Sequence, residues 1–511
     1  MTFEPDPSEP RTLLSVLEYR ASHSGAERFV VTPDYRERTY AEIMARAKRL
    51  GESLAQAGVA RGDRVGLYFE NGPAWVVAVF ATWICGATAA ACGRLVPVDD
   101  ATAMLRLAGC TFVVTTQDEE SFTRVFRPFR VTDEGELAQE APSAAAAAAR
   151  DTAEPSEDDA ATIIFSSGTT GAPKGIPTTH KNYITNARQQ SAAFTGSAKF
   201  RLTAAPGRVP PHIIFSPFGH GSPFGQLAFR LWIGRPVVMV RKFSVDVAAS
   251  LIERYRPTTL QLSPAMIHMF ADSESDCDMS SLKYISSTND ALPASTRQQF
   301  ESRYSVPIFQ AYGLSETGVI AQDRPDPASP ERRRPGSSGV LAPGVQVRIM
   351  ADGVEAGPGV DGEIVVLSLN MKTDYVGGQR AEVVDGWLHT GDIGHLDEDG
   401  YLYVTGRSLE KLVVGGLNVY PAEVEESVRE SPLVRDAIVI GVPDERLGEI
   451  PVVGVVWAGA REPETLLSEV RDRIAHYKAP RKVFDLDAVP LTPRGKVDRR
   501  TAKAHALAVL Q

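Results

Sequence analysis

Apolar and polar positions along this chain switch between two periods. From Thr39 to Gly62, TYAEIMARAKRLGESLAQAGVARG repeats its apolar residues every three to four positions, opens on a threonine with Glu42 three residues on, and meets Gly58 near its end. That spacing predicts a capped amphipathic helix, and the following DRVGLYF predicts a strand. Helix-like and strand-like stretches keep alternating through TFVVTT, ATIIF, PVVMV, TTLQL and VPIFQAY. Such alternation predicts layered α/β architecture with mainly parallel sheets. After Gly336 the texture changes to short strands and turns, GVQVRIM, GEIVVLS and GYLYVTG, which predict a β-rich subdomain. From about Arg407 a new α+β unit is expected: helix PAEVEESVRE, strand DAIVIGV, helix PETLLSEVRDRIAHY and tail LTPRGKVDRR. The expected organisation is a large N-terminal lobe over 1–405, a hinge over 406–411 and a small mobile cap over 412–511.

Three segments test that outline. Asn71 to Gly93 carries no charge and is long enough to cross a bilayer. Its glycines, threonines and alanines instead favour a buried helix ending near Gly86, followed by a short buried strand. Glu134 to Asp159, rich in alanine, acid and proline, reads as a solvated connector or short exposed helix without chemistry. DEDG at 397–400 lacks the remainder of a calcium loop and reads as a hairpin turn.

Composition narrows the partners. With 511 residues, 43% of them apolar, the chain can bury large cores, and a net charge of −10 argues against a general nucleic-acid surface. Any phosphate site must therefore be locally positive. The four cysteines, Cys85, Cys92, Cys110 and Cys277, show no metal-binding spacing and read as reduced thiols. The acidic, proline-rich start MTFEPDPSEPRT has no secretion pattern, so a cytoplasmic protein is expected.

Residues 166–175, SSGTTGAPKG, follow the strand-like ATIIF. Glycines at the end of a strand expose backbone N–H groups, and hydroxyls with a lysine add donors, so the segment is suited to polyphosphate. A Walker A loop would place glycine at Pro173 and a hydroxyl at Gly175, so this is a phosphate loop of another kind.

Further motifs follow: QAYGLSETG at 310–318, HTGD at 389–392, GRSLEKLVVGGLNVYPAEVEE at 406–426 and PLTPRGKVD at 490–498. Singly, each is compatible with a turn, a hinge or a solvated tail. Together, in this order, they resemble the superfamily of acyl-adenylate-forming enzymes, which includes acyl- and aryl-CoA ligases, luciferases and peptide-synthetase adenylation domains. The resemblance runs from about Thr39 to Arg499.

The resemblance implies ATP, Mg²⁺ and a carboxylic acid as reactants. Attack of the carboxylate on the α-phosphate releases pyrophosphate and leaves an acyl-AMP, and the crowded negative charge calls for positive groups and oriented donors. It implies that Ser166, Ser167, Gly168, Thr169, Thr170, Gly171 and Lys174 hold the β- and γ-phosphates. Tyr312 would stack on adenine, Ser315 donate to the α-phosphate and Glu316 bind the metal, with Asn289, Asp290, Ala291, Gln310, Ala311 and Gly313 completing the nucleotide set. Asp392 would take the ribose hydroxyls, assisted by Arg407, and Lys496 on the cap would bridge carboxylate and phosphate. Leu409 stands where relatives carry a polar hinge residue, aspartate or lysine.

Phe218, His220 and Gly221 in PFGH-G, with Thr288 and Asn289, are implied to line the acyl site. STNDAL at 287–292 replaces the small SGGAPL of many relatives, which favours a small, aromatic or polar-substituted acid over a long fatty chain. Gly415 and Gly416 resemble the CoA-ligase version of the hinge motif, where a pantetheine arm passes after the cap rotates. CoA is thus the expected acceptor. The alternatives are transfer of the activated acid, or of another oxyanion such as nitrite, to an amine or carrier protein, and a nucleotide-binding module without catalysis.

Overall fold

The uncharged stretch beginning at Asn71 folds as a helix, Pro73–Ile84, and a strand, Thr88–Gly93. It does so in a computed structural model that describes residues 9–32, 34, 36–117, 119–138, 154–167, 173–195, 200, 209–217, 219–323, 334–491 and 497–510. The helix is buried from Pro73 to Trp83 because it is sandwiched, so being apolar all round costs it nothing. One side meets the helix Tyr40–Gln56, which starts with the expected capping box of Thr39 and Glu42. On the other side lies a six-stranded sheet, and Trp83 anchors there by donating Nε1–H to the Ala161 carbonyl at 2.7 Å. Among the described residues no helix is long and apolar enough to cross a membrane.

That sheet runs Arg127–Arg130, Phe112–Thr115, Arg64–Phe69, Thr88–Gly93, Ala160–Ser167 and Pro173–Thr179. Its strands are parallel except for the last pair, which forms an antiparallel hairpin. A four-stranded sheet joins Glu37–Thr39 and Arg28–Val31 to Val237–Met239 and His212–Ile214. A five-stranded sheet carries Thr259–Leu262, Tyr284–Ser287 and Ile308–Leu314 in parallel, then Gly318–Gln322 and Val340–Leu341 antiparallel. The expected β-rich subdomain is a six-stranded antiparallel sheet built around Gly362–Ser368 and Trp387–Leu396, with Leu402–Arg407 on the flank of the latter. At 397–400, DEDG is the turn between those last two strands, held by Asp397 Oδ1 accepting the Asp399 and Tyr401 N–H groups.

The smaller C-terminal domain has its own five-stranded sheet, centred on Val434–Asp444 and Gly448–Trp457, with helices Pro421–Arg429 and Arg499–Val509 against it. Its buried Glu425 accepts two bonds from Arg499, so a charge inside this small core is compensated. The helix expected to run to Tyr477 stops at Arg473, and Ile474 is extended. There Ile474 and Tyr477 pack on the cap core instead of continuing the helix. Glu134, in the stretch read as a connector, binds Arg38 through both carboxylate oxygens and also meets Arg46. All four cysteines are free thiols, and burial pushes Cys85 and Cys110 up to about 12.

Candidate functional site

Three turns of the large lobe, two from the five-stranded sheet and one from the six-stranded, mainly parallel sheet, carry the motif residues. The first joins Ile308–Leu314 to Gly318–Gln322 and carries the YGLSE segment. A Cβ on Gly313 would lie 2.3 Å from the Gly318 carbonyl oxygen, so only glycine lets these strands close. Tyr312, on the same strand, donates its hydroxyl to Asp392 Oδ2 at 2.6 Å. Asp392 comes from Trp387–Leu396 and is 3% exposed; its register partner Arg407 donates Nε–H to Oδ1 at 2.8 Å. Burial, reinforced by the Asp392 carboxylate, pushes the Tyr312 hydroxyl far above its ordinary pKa, so it remains a donor. Both oxygens of a buried carboxylate are thereby oriented before any ligand arrives.

The second turn is the hairpin between Ala160–Ser167 and Pro173–Thr179, in which Ser166 pairs with Lys174 and Ser167 with Pro173. Lys174 Nζ sits 5.0 Å from the centre of the Tyr375 ring, and the Tyr375 hydroxyl donates to Glu316 Oε1 at 2.9 Å. Tyr375 therefore spaces a lysine from a carboxylate. Lys372 closes this group from behind, its N–H donating to the Glu316 carbonyl at 2.7 Å. Burial lowers the Lys372 ammonium to about 8, against the pull of Glu316. Gly168, Thr169, Thr170, Gly171, Phe218 and Lys496 lie outside the described residues.

The third turn follows Tyr284–Ser287. Thr288 Oγ1 accepts from Gln261 at 3.0 Å, whereas Asn289 and Asp290 are exposed. Asn289 takes φ 80°, the left-handed region that favours glycine and that asparagine tolerates. The Gln310 side chain pins the loop, accepting the Leu292 N–H at 3.0 Å and donating to the Ser337 carbonyl. Ala311 neighbours it on the strand, and Ala291 donates its N–H to Asp290 Oδ1. His220 caps the helix Gly221–Ile233, and a Cβ on Gly221 would lie 3.9 Å from Ser315 Oγ. The acyl-side residues and the YGLSE turn are thus adjacent.

The cap meets this lobe through Ala294, whose N–H donates to Glu426 at 3.0 Å, and through Tyr420, whose ring lies against Gly406. Gly406 and Arg407 remain paired in the large-lobe sheet, Ser408–Glu410 form one tight helical turn, and Leu409 is 73% exposed. Gly415 and Gly416 form the tip of a cap hairpin with φ of 57° and 84°. A side chain at Gly416 would meet nothing within 4 Å, so that tip is open.

The family model for AMP-binding enzyme matches residues 17–376, and that for the AMP-binding enzyme C-terminal domain matches 423–496. The chain belongs to the AMP-binding enzyme family. It is 31% identical over 475 residues to a feruloyl-CoA synthase of Amycolatopsis sp, covering 90% of this chain and 92% of that protein. Over 375 residues it is 35% identical to 4-coumarate–CoA ligase-like 6 of rice, Oryza sativa subsp. japonica, covering 68% of this chain but 61% of that protein. The structure of o-succinylbenzoate CoA synthetase from Bacillus subtilis, in complex with its acyl-adenylate intermediate, superimposes with a TM-score of 0.83 at 27% identity, covering 96% and 97% of the two chains. The same synthetase superimposes at 0.81 in its complex with ATP and magnesium ion.

Some residues of this AMP-binding enzyme that bear on the site fell outside the motifs. Lys372 and Tyr375 lie in NMKTDYVGG, where no spacing marks them. Ser222, Gln226 and Arg230 did leave a signal, three polar residues four apart on the otherwise apolar helix GSPFGQLAFRLWI.

Proposed function

We propose that this chain is an AMP-forming acid–CoA ligase of the cytoplasm, which adenylates a carboxylic acid with ATP and passes the acyl group to CoA. The observation that carries the reading is the buried Asp392 held between Tyr312 and Arg407, a short strand away from Glu316 and Lys174. A carboxylate oriented this way suits two vicinal hydroxyls, as on ribose, and the hydroxyl bond fixes the plane of the Tyr312 ring for stacking. Lys174 and the hydroxyl-rich hairpin would take the phosphates, and Ser315 would donate to the α-phosphate. Lys496 would approach with the cap and offset charge as the carboxylate attacks.

Among the described residues no group of three or more histidine, cysteine, aspartate or glutamate side chains could hold a metal. One carboxylate, Glu316, together with phosphate oxygens is nevertheless the donor set that Mg²⁺ commonly uses, so the site fits that ion. When bound, it would neutralise phosphate charge. The CoA step is supported by the names of the relatives and by the open space at Gly416 on the hairpin tip.

Acid-dependent exchange of pyrophosphate into ATP, with mass detection of products with and without CoA, tests the reading. Acyl-AMP without CoA and a thioester with it are expected. Accumulated acyl-AMP that CoA does not consume would redirect the second step to an amine or a carrier protein.

A further inference from the structure

The helix that begins after His220 carries a partly buried cation, Arg230, that sets the direction of the hydrogen bonds running from it to Ser222. Among the described residues Arg230 has as partners the Phe229 ring, 4.5 Å from its Cζ, and His212 Nδ1 at 3.3 Å, while its Nε has none. Burial lowers Arg230 only to about 9, so it remains a pure donor near neutral pH. His212 is 1% exposed, and burial together with Arg230 and Arg235 keeps it neutral. A neutral imidazole accepting at Nδ1 carries its proton on Nε2, which faces Gln226 Oε1 at 2.8 Å. The Gln226 amide is thereby fixed with Nε2 toward Ser222 Oγ, a long contact of 3.5 Å. From the other side Gln261 Nε2 donates to Ser222 Oγ and to Thr288 Oγ1, each at 3.0 Å.

Ser222 accordingly receives two amide donors, and both of its lone pairs are engaged. Its own proton is then left for a further acceptor, and so is that of Thr288. Ser222 follows Gly221, the residue beside Ser315, and Gln261 links it to Thr288, so the two hydroxyls share one wall next to the YGLSE turn.

We propose that Ser222 and Thr288 are hydrogen-bond donors to the acyl part of the substrate, held in that sense by the Gln261 amide together with the chain running from Arg230 to Ser222, and that the enzyme selects acids bearing an acceptor oxygen such as a carbonyl or carboxylate. This rests on the acid-activating reading above. It sharpens the general expectation of a polar substituent into one polarity, because an amine or other pure donor would face another donor and leave both unpaired.

Aryl acids that differ only in one ring substituent, acetyl, isopropyl or amino at each ring position, provide the test in the pyrophosphate exchange assay. At the best ring position the acetyl acid should exceed the isopropyl acid by roughly tenfold or more in kcat/KM. Ser222→Ala should erase most of that ratio while the KM for ATP stays the same. Gln261→Glu replaces the amide donor with an acceptor, so the two hydroxyls turn inward and the amino-to-acetyl ratio should rise about tenfold. Arg230→Lys should preserve the acetyl preference and Arg230→Met should lose it, with thermal melts confirming that each variant folds. A flat acetyl-to-isopropyl ratio at every position in the wild type, or ratios unmoved by Gln261→Glu, would overturn the proposal while leaving acid activation intact. Absence of exchange with any acid would sink the acid-activating reading itself, and this inference with it.

Discussion

The two halves of the site handle buried charge in opposite ways. On the nucleotide side each of the two central carboxylates is met inside the protein, Asp392 by Arg407 and Tyr312, and Glu316 by Tyr375. On the acyl side Arg230 faces a neutral histidine, its influence passes outward through Gln226 to the Ser222 hydroxyl, and the Gln261 amide joins Ser222 to Thr288. The first half is complete without the acid, whereas the second leaves its last hydrogen bonds for the acid to make. The nucleotide half should therefore set the rate for all acids alike, and the acyl half should set the ratio between them.

Lys496→Ala gives the sharpest test of that division and the largest expected effect. Losing a donor aimed at transition-state charge costs about 3 kcal/mol, so adenylation should fall roughly a hundredfold for every acid. Thioester formation from pre-made acyl-AMP should survive. Stopped-time assays of both half-reactions check it, and an acid-dependent loss would break the division.

Asp392→Asn comes next. It keeps the shape but removes the charge that orients Tyr312 and Arg407, and it should raise the KM for ATP about tenfold with little change in the preference among acids. A KM for ATP equal to that of the wild type would remove Asp392 from nucleotide binding.

Asn289→Gly probes the seam, since Asn289 follows Thr288 and precedes the loop pinned by Gln310. At φ 80° glycine fits without strain, so stability should hardly move. Selectivity should relax by about two- to fivefold toward unsubstituted or longer acids, on the order of one hydrogen bond, at constant KM for ATP.

The smallest effect concerns stability. The folded-state value of Lys372 is lowered to about 8 by burial, so the folded protein pays for that charge in full below pH 8. Between 8 and the ordinary lysine value of 10.5 the unfolded chain binds more protons than the native one, and the penalty fades as pH rises. Lys372→Met should therefore raise the urea midpoint at pH 7 and lose that advantage near pH 10.5. An equal advantage at both pH values would show that Lys372 acts through packing alone.

How much of this was legible depends on how the residues lie along the chain. Tyr312, Ser315 and Glu316 fall within five consecutive positions, and Asp392 and Arg407 come from adjoining strands. Turn chemistry forces such residues together locally, so their types and spacing survive in the sequence. The capped helix from Tyr40, the buried helix and strand after Asn71, and the hairpin turn at Asp397 were legible for the same reason. Lys372 and Tyr375 were not, because nothing local requires a lysine and a tyrosine near Glu316.

The acyl wall gathers His212, Ser222, Gln226, Arg230, Gln261 and Thr288 from four separate elements, and only tertiary packing brings them within hydrogen-bond reach. The sequence by itself determined the layered α/β lobes and the local YGLSE and HTGD segments, since each rests on periodicity or on contacts between near neighbours. Only the tertiary structure decided which polar groups face one another across the acyl wall, and with them the direction in which its protons point. That direction depends on a guanidinium being unable to accept and on one amide donating to two hydroxyls, constraints that act through space and leave no period in the chain.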